Sequence, residues 1–324
     1  MNKKITLTGL ALLSLSLCLP ISSIASTTEL GDLQSESMGE TRNNINPRAE
    51  GILTDPIDFT RIMLNNYGKQ LIPSEYKYKG SKAERPNPTI DNFRVLPDGN
   101  PVVENQSTLF VGESILTNNT DTPQSLKTNT FAKTITHTIS SQVTHGFKLG
   151  SDVKASFGIP LIGSTDVTLK TEYSLNSTKT NTDTETYTYT ADAQSITVPP
   201  KSSVVVNVSL NEAEISGKTK IIGEVDPNDE MVKGNAFYET LGIMLKKKPI
   251  NASWKNVYKY NVDNDFKIDG YFYDTESQTH NILGSGVYSA NYGTTFNVKV
   301  SSLEKNVNSV DKTYTISPRV TKNN

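Results

Sequence analysis

Residues 134–157 read TITHTISSQVTHGFKLGSDVKASF and residues 167–190 read VTLKTEYSLNSTKTNTDTETYTYT, on either side of an apolar turn, Gly158-Ile159-Pro160-Leu161-Ile162-Gly163. On the first run the odd positions Ile135, Ile139, Val143, Phe147, Leu149, Val153, Ala155 and Phe157 are apolar and the even positions are mostly polar. On the second run Val167, Leu169, Tyr173 and Leu175 repeat that pattern. A period of two is the strand period, so the stretch predicts one long amphipathic β-hairpin. From Thr178 to Thr190 every even position is Thr, while the odd ones become Lys179, Asn181, Asp183, Glu185, Tyr187 and Tyr189. The apolar face stops there and a wetter ribbon continues.

A two-stranded ribbon with one apolar face does not persist in water, so a neighbouring sheet or loop must cover that face in a soluble form. In a bilayer the same ribbon is stable only inside a closed barrel, because every backbone group must be paired. One chain supplies two strands, so closure requires several copies. A spanning strand needs about 9 to 11 residues, and the runs Val143 to Phe157 and 165–175 reach that length. In that arrangement Val143, Phe147, Leu149, Val153, Ala155, Phe157, Val167, Leu169, Tyr173 and Leu175 face lipid. Lys148, Asp152, Lys154, Lys170 and Glu172 line a lumen whose mixed charges predict weak ion selectivity, and residues 158–163 form the leading tip. Facing Lys154 with Lys170 also faces Asp152 with Glu172, which charge repulsion rejects. A slip of the strands that places Asp152 opposite Lys170, or a further one that places Lys148 opposite Glu172 and Lys154 opposite Asp166, is compatible. Alternation alone is equally met by ordinary half-exposed strands of a secreted β-protein.

Working outward, Lys3 and Lys4 precede an apolar run from Ile5 to Leu19 and the small residues Ser23-Ile24-Ala25, the pattern of a secretory signal peptide over residues 1–25. The only cysteine, Cys18, lies in that segment, so the rest of the chain must hold together without disulfides and cysteine catalysis is excluded. Residues 26–50 read as a flexible leader, either a plain terminus or a propeptide with trypsin-like sites at Arg42 and Arg48. Asp55-Pro56 opens a helix with Phe59, Ile62, Met63 and Tyr67 at helical spacing up to Gly68. Tyr67, Tyr76 and Tyr78 follow in a Lys/Tyr-rich stretch suited to receptor or glycan recognition, or to packing between helix and sheet. Residues 51–107 are therefore read as an N-terminal receptor-binding region closed by a Pro-rich boundary from Pro86 to Pro101.

Residues 108–225 are read as a central pore-forming region of long strands holding the insertion hairpin 143–175. Val204 to Leu210 alternates as one strand, and Ile215 to Val225 as its hairpin partner. Residues 226–324 are read as a β-sandwich of short strands, among them Val257 to Val262, Lys267 to Tyr273, Gly286 to Ser289 and Thr294 to Val300, with a short tail after Ile316.

A net charge of -2 and pI near 6.0 without basic clusters beyond Lys246-Lys247-Lys248 argue against nucleic acid as a partner. The histidines His137, His145 and His280 are dispersed, and no nucleophile elbow, phosphate loop or dinucleotide motif is present, so neither an enzyme nor a cofactor is expected. Asp263-Asn264-Asp265 with Asp269-Gly270 departs from a calcium loop at Lys267 and Ile268 and reads as an acidic turn.

Residues 109–118 (LFVGESILTN), the Ser/Thr-rich arms, residues 196–200 (ITVPP) and residues 221–225 (IIGEV) together resemble the clostridial epsilon toxin and bacillar mosquitocidal toxins, aerolysin-like β-pore-formers, from about Phe59 to Val300. The resemblance implies a mostly β, elongated multi-domain aerolysin-like fold of long twisted strands, with a C-terminal β-sandwich and a short N-terminal helical region. It also implies a secreted protoxin activated by a protease, which binds a host-cell membrane through a protein or glycan receptor and assembles into a homo-oligomeric, about heptameric ring. By position its insertion hairpin falls on Val143 to Leu175 and its receptor face near Tyr67, Tyr76 and Tyr78. Only residues 317–324 follow the last expected strand, so cleavage at Arg42 or Arg48 is the expected switch. The competing reading is a non-lytic secreted glycan- or surface-binding β-protein on the same scaffold.

Overall fold

The computed structural model describes residues 51–84, 88–162, 167–303 and 311–323, all within a compact unit spanning Asn46–Asn324. The expectations for the signal peptide, the leader, Arg42, Arg48, Asp166 and tip residue Gly163 lie outside the described residues. In chain order the elements are β1 (Ile52–Thr54), α1 (Pro56–Gln70), β2 (Lys77–Ala83), β3 (Thr89–Pro97), β4 (Val102–Asn118), β5 (Gln124–Lys127), β6 (Phe131–Phe147), β7 (Lys154–Gly158), β8 (Lys170–Ser174), β9 (Asn181–Ala191), β10 (Ser195–Val198), β11 (Ser202–Asp226), β12 (Gly234–Thr240), β13 (Met244–Pro249), α2 (Trp254–Asp263), β14 (Tyr271–Asp274), β15 (Thr279–Ser302), β16 (Asp311–Ile316) and β17 (Arg319–Asn323). Strand accounts for 62% and helix for 10%, which makes the protein mostly β, as the sequence predicts.

The main sheet runs β17-β9-β6-β15-β11-β3, with β1 parallel to β6, β14 and β16 on β15, and β4 on β11. Its spine is the antiparallel pair β11 and β15, matched from Val204↔Ser302 to Val225↔His280. The expected hairpin between Val204–Leu210 and Ile215–Val225 is not there. Both halves belong to β11, and the register shifts between Leu210 and Glu212. That shift changes the buried positions from Val204, Val206, Val208 and Leu210 to Ala213 and Ile215. A bulge of this kind flips the inward parity without turning the chain, and sequence alternation reads that flip as a break. Likewise Gly286–Ser289 and Thr294–Val300 are parts of the single strand β15.

Helix α1 starts as expected, with Asp55 accepting from the Ile57 amide at 3.0 Å and Pro56 in the first turn, and it runs on to Gln70. It buries Phe59, Met63 and Leu64, whereas Ile62 is exposed. Residues 257–262, expected as a strand, lie in α2. Ser253 caps that helix on the Asn256 amide, and Trp254, Val257, Tyr258 and Asn261 are buried at i, i+3, i+4 and i+7. That spacing and the Ser-x-x-Asn cap were the available helical signals. The strand expected over Lys267–Tyr273 is β14, beginning only at Tyr271. The expected tail after Ile316 also forms a strand: β17 pairs with β9 from Arg319↔Thr190 to Asn323↔Thr186. A separate three-stranded sheet, β13-β12-β2, joins residues 77–83 to residues 234–249.

Two histidines sit in this framework, His137 buried and His280 partly so. His280 lies among Tyr258, Tyr271 and Tyr273, and its Nδ1 meets the Tyr271 hydroxyl at 2.6 Å. His137 is held between the Asn291 carbonyl, 2.7 Å, and the Tyr189 hydroxyl, 3.0 Å. Burial lowers His280 from the ordinary 6.5 to about 4 and also lowers His137, which the Asn291 carbonyl partly offsets. With folded values below the unfolded ones, the unfolded chain binds more protons in this window. Stability is therefore complete above pH 6.5 and is lost as the pH falls through about 4. Allowing for the partial exposure of His280, its share is about 1–2 kcal/mol. Thermal melts at pH 7 and pH 4.5 should show a steeper loss for the native protein than for His280→Gln, which still offers Tyr271 a partner; equal losses would refute the assignment.

Candidate insertion hairpin and its dock

Strands β6 and β9 pair from Phe131↔Ala191 to Ser141↔Asn181 and then part. On their even, outward face Thr134 meets Thr188 at 2.8 Å and Thr136 meets Thr186 at 3.2 Å, a hydroxyl ladder suited to a wet surface. Between the parted strands the chain folds back as the hairpin β7–β8. Among the described residues those two strands pair only with each other, from Lys154↔Ser174 to Gly158↔Lys170.

The sequence-derived apolar face is the face that docks. Val143, Phe147, Ala155, Phe157, Val167, Leu169, Tyr173 and Leu175 are buried, and Leu149 and Val153 pack against the same core. Lys148, Asp152, Lys154, Lys170 and Glu172 are exposed. The register is neither of the two compatible with direct charge pairing. Lys154 lies diagonal to Glu172 and reaches it at 3.3 Å while both remain more than half exposed. A diagonal contact satisfies the charges without placing them opposite one another, an arrangement outside the direct-pairing argument.

Aromatic side chains carry the dock. The Phe157 ring packs 5.2 Å from Tyr288 and 6.0 Å from Tyr173. The Tyr173 hydroxyl donates to the Val287 carbonyl at 2.9 Å. Its ring passes over Gly286, where a Cβ would come within 2.6 Å of it, so a side chain at that sheet position is incompatible with the docked ring. At the tip Gly158 is exposed, Ile159 is buried, and Pro160 and Leu161 are partly buried. The Tyr292 hydroxyl accepts from the Ile162 amide at 2.7 Å and donates to the Ile162 carbonyl at 2.8 Å. Ser141 and Thr171, both buried, share a hydroxyl contact of 2.9 Å. Burial pushes the phenols of Tyr173 and Tyr292 up, so both remain protonated donors at neutral pH. The dock is thus apolar packing with a few side-chain hydrogen bonds, plus backbone contacts at the hairpin's root such as the Phe147 amide to the Leu175 carbonyl, 2.9 Å.

The three tyrosines near α1 have different settings. The Tyr78 hydroxyl contacts the Asn65 carbonyl and Oδ1, each at 3.1 Å, and the Ser81 hydroxyl at 2.8 Å, while burial raises its pKa. It packs helix to sheet. Tyr67 packs edge-on to Tyr260 at 5.4 Å, and Tyr76, the most exposed, lies 5.4 Å from Tyr238.

A family model described as Clostridium epsilon toxin ETX/Bacillus mosquitocidal toxin MTX2 matches residues 59–314. The chain belongs to this family. It is a family of aerolysin-like β-pore-forming toxins. Among solved structures, the Mpp75Aa1.1 beta-pore-forming protein from Brevibacillus laterosporus is 22% identical with a TM-score of 0.56, over 74% of this chain and 77% of that one, and so shares the fold. A non-toxic crystal protein from Bacillus thuringiensis is 17% identical with a TM-score of 0.48, over 76% of this chain and 96% of that one. No curated protein matches. In this chain the hairpin β7–β8 is an amphipathic element with its own ladder, docked rather than woven into the main sheet.

Proposed function

We propose that this toxin is a secreted protoxin which, after cleavage near Arg42 or Arg48, binds a host-cell surface, assembles into a ring of about seven protomers and inserts residues 143–175 as its share of a transmembrane β-barrel. The carrying observation is that, among the described residues, β7 and β8 pair only with each other and hide an apolar face against the main sheet. Strands β7 and β8 can leave without breaking a long backbone ladder; residues 143–147 give up only short pairings with β15 and β1. The same apolar area that stabilises the dock then faces lipid, and Lys148, Asp152, Lys154, Lys170 and Glu172 face the lumen. Receptor contact falls to the 51–107 region, with Tyr76 more accessible than Tyr67 and Tyr78. The 108–225 region supplies the barrel, and 226–324 completes the scaffold.

Register follows from the strands that flank the hairpin. Continuing the β6–β9 pairing beyond Ser141↔Asn181 without a slip places Asp152 opposite Lys170, one of the two charge-compatible alternatives. It also places Phe147 opposite Leu175, Leu149 opposite Tyr173, Val153 opposite Leu169 and Ala155 opposite Val167, apolar against apolar at these four pairs. Insertion therefore moves the partner of Lys154 from Ser174 to Thr168 and brings the turn to Pro160-Leu161-Ile162. Single cysteines with an environment-sensitive dye, read on trypsin-treated protein that releases dye from liposomes, should report lipid at positions 147, 153, 155 and 169 and water at 148, 152, 154 and 170. The pair Val153→Cys/Leu169→Cys should oxidise in the pore, and Ala155→Cys/Tyr173→Cys in the soluble protein. Absence of dye release and of a heat-resistant oligomer would overturn the function. Equal wetness on both faces would overturn the hairpin assignment.

A further inference from the structure

The β12–β13 hairpin ends in a turn that neither backbone conformation nor packing accounts for. The last pair is Thr240↔Met244, and the Ile243 amide donates to the Thr240 carbonyl at 3.3 Å. Leu241 has φ +54° and Gly242 φ +74°, the left-handed pair of a turn in which Asn, Asp or Gly is favoured at the first position. A leucine there is conformationally disfavoured. It also gains nothing by packing: Leu241 is 91% and Ile243 88% exposed, with Met244 and Leu245 exposed behind them. An unfavourable backbone under an exposed aliphatic side chain points to a partner outside the chain.

The strands behind the tip define that partner's charge. The three-stranded sheet carries Lys77, Lys79 and Lys82 on β2 and Lys246, Lys247 and Lys248 on β13, against one acid, Glu239, which Lys79 holds at 2.7 Å. Among the described residues none of Lys77, Lys246 and Lys247 is in an ion pair with a carboxylate, although the whole chain is net negative. Lysines on an edge strand are an ordinary guard against edge pairing. Such a guard does not call for four exposed aliphatic residues at its end. From the tip inward come Leu241 to Leu245, then Lys246 opposite Tyr238, whose ring has Tyr76 tilted against it at 5.4 Å, then Lys247 and Lys248. This is the order of a membrane interface: aliphatics below the headgroups, aromatic rings at their level and ammonium groups at the phosphates. A protein groove would more often be met by a rigid Trp or Arg anchor, whereas flexible aliphatics and point-charge lysines suit a fluid, diffusely anionic surface.

We propose that the β12–β13 tip is a lipid-contacting finger, with Leu241 and Ile243 entering the outer part of an anionic bilayer while Lys77, Lys246 and Lys247 meet its phosphates. The contact precedes and does not require insertion of residues 143–175, so it is measured on the uncleaved chain. Flotation with phosphatidylcholine vesicles and with phosphatidylcholine–phosphatidylserine vesicles should show binding to the anionic set, weakening as salt is raised. Leu241→Asn/Ile243→Ser should weaken binding at least about tenfold, and Lys246→Ser/Lys247→Ser about thirtyfold. Melting temperature should be unchanged in the lysine variant and unchanged or raised in the tip variant, because Asn tolerates the left-handed turn better than Leu. Retained vesicle binding in the tip variant would overturn the proposal. So would absence of vesicle binding while binding to susceptible cells persists, which would indicate a protein or glycan receptor, or a dimer that the tip substitution dissolves, which would indicate a second copy as the occupant. Dye release by the cleaved tip variant at high protein concentration separates this proposal from pore formation: adhesion is lost and release retained only if the two are distinct.

Discussion

A Ser141→Cys/Thr171→Cys variant is expected to release no dye from liposomes when oxidised and to recover release on reduction. Ser141 belongs to the part of β6 that pairs with β9 and stays in place, and Thr171 to β8, which must leave its dock. Their hydroxyls are 2.9 Å apart and both side chains are buried, close enough for the roughly 3.5–4.5 Å Cβ separation that a disulfide needs. The only native cysteine is Cys18, so nothing in the described region competes for the new thiols. In the continued β6–β9 register Thr171 moves to the partner position of Ser151, so the bond and the extended hairpin are mutually exclusive. The effect is all-or-none. Binding of the oxidised protein to membranes should persist, which separates a failure to insert from a failure to fold. Oxidised protein that still forms pores, with the crosslink verified on a non-reducing gel, would show that residues 170–174 stay docked during pore formation.

The opposite perturbation should free the hairpin. Tyr173→Ala removes a buried ring packed on Phe157, over Gly286, together with its bond to the Val287 carbonyl, and should weaken docking by about 3–5 kcal/mol. Because β7 and β8 form their own ladder, that loss falls on the hairpin and not on the β11–β15 spine. Amide exchange and proteolysis should therefore accelerate between residues 148 and 180 while the spine amides keep their protection. The freed apolar face should make the protein prone to association before activation. Tyr173→Phe keeps the ring and loses only the hydroxyl bond, and should cost about 1 kcal/mol in the same direction. Uniform loss of protection across the whole sheet would mean that the hairpin is not an independent unit.

The faces of the hairpin were legible because side-chain alternation is a property of the extended backbone itself: residues two apart share a face whatever lies opposite. Residues 147–157 and 167–175 announce one apolar side without reference to a partner, and that side is buried in the fold. Helix α1 was legible for a similar reason, since Asp55 and Pro56 act on amides of their own first turn. Helix α2 was missed although Ser253, Trp254, Val257, Tyr258 and Asn261 carry a helical pattern, because its aromatic and β-branched content reads equally as strand in a chain this rich in strands. The exposed tip at Leu241 had no sequence signature, since an aliphatic pair beside a glycine is indistinguishable from core until the turn around it is known.

What the sequence determined alone is local: where the chain is extended, which positions share a face and where the apolar face gives way to the Thr ladder. Only the tertiary structure decided that β11 runs on through a bulge instead of turning back, that residues 319–323 add an edge strand to β9, and that β7 and β8 pair with each other against a floor of Tyr288, Val287 and Gly286. Each of those depends on a strand's choice of partner, and that choice is made with residues distant in sequence, by hydrogen-bond ladders and ring contacts to which period-two alternation is blind.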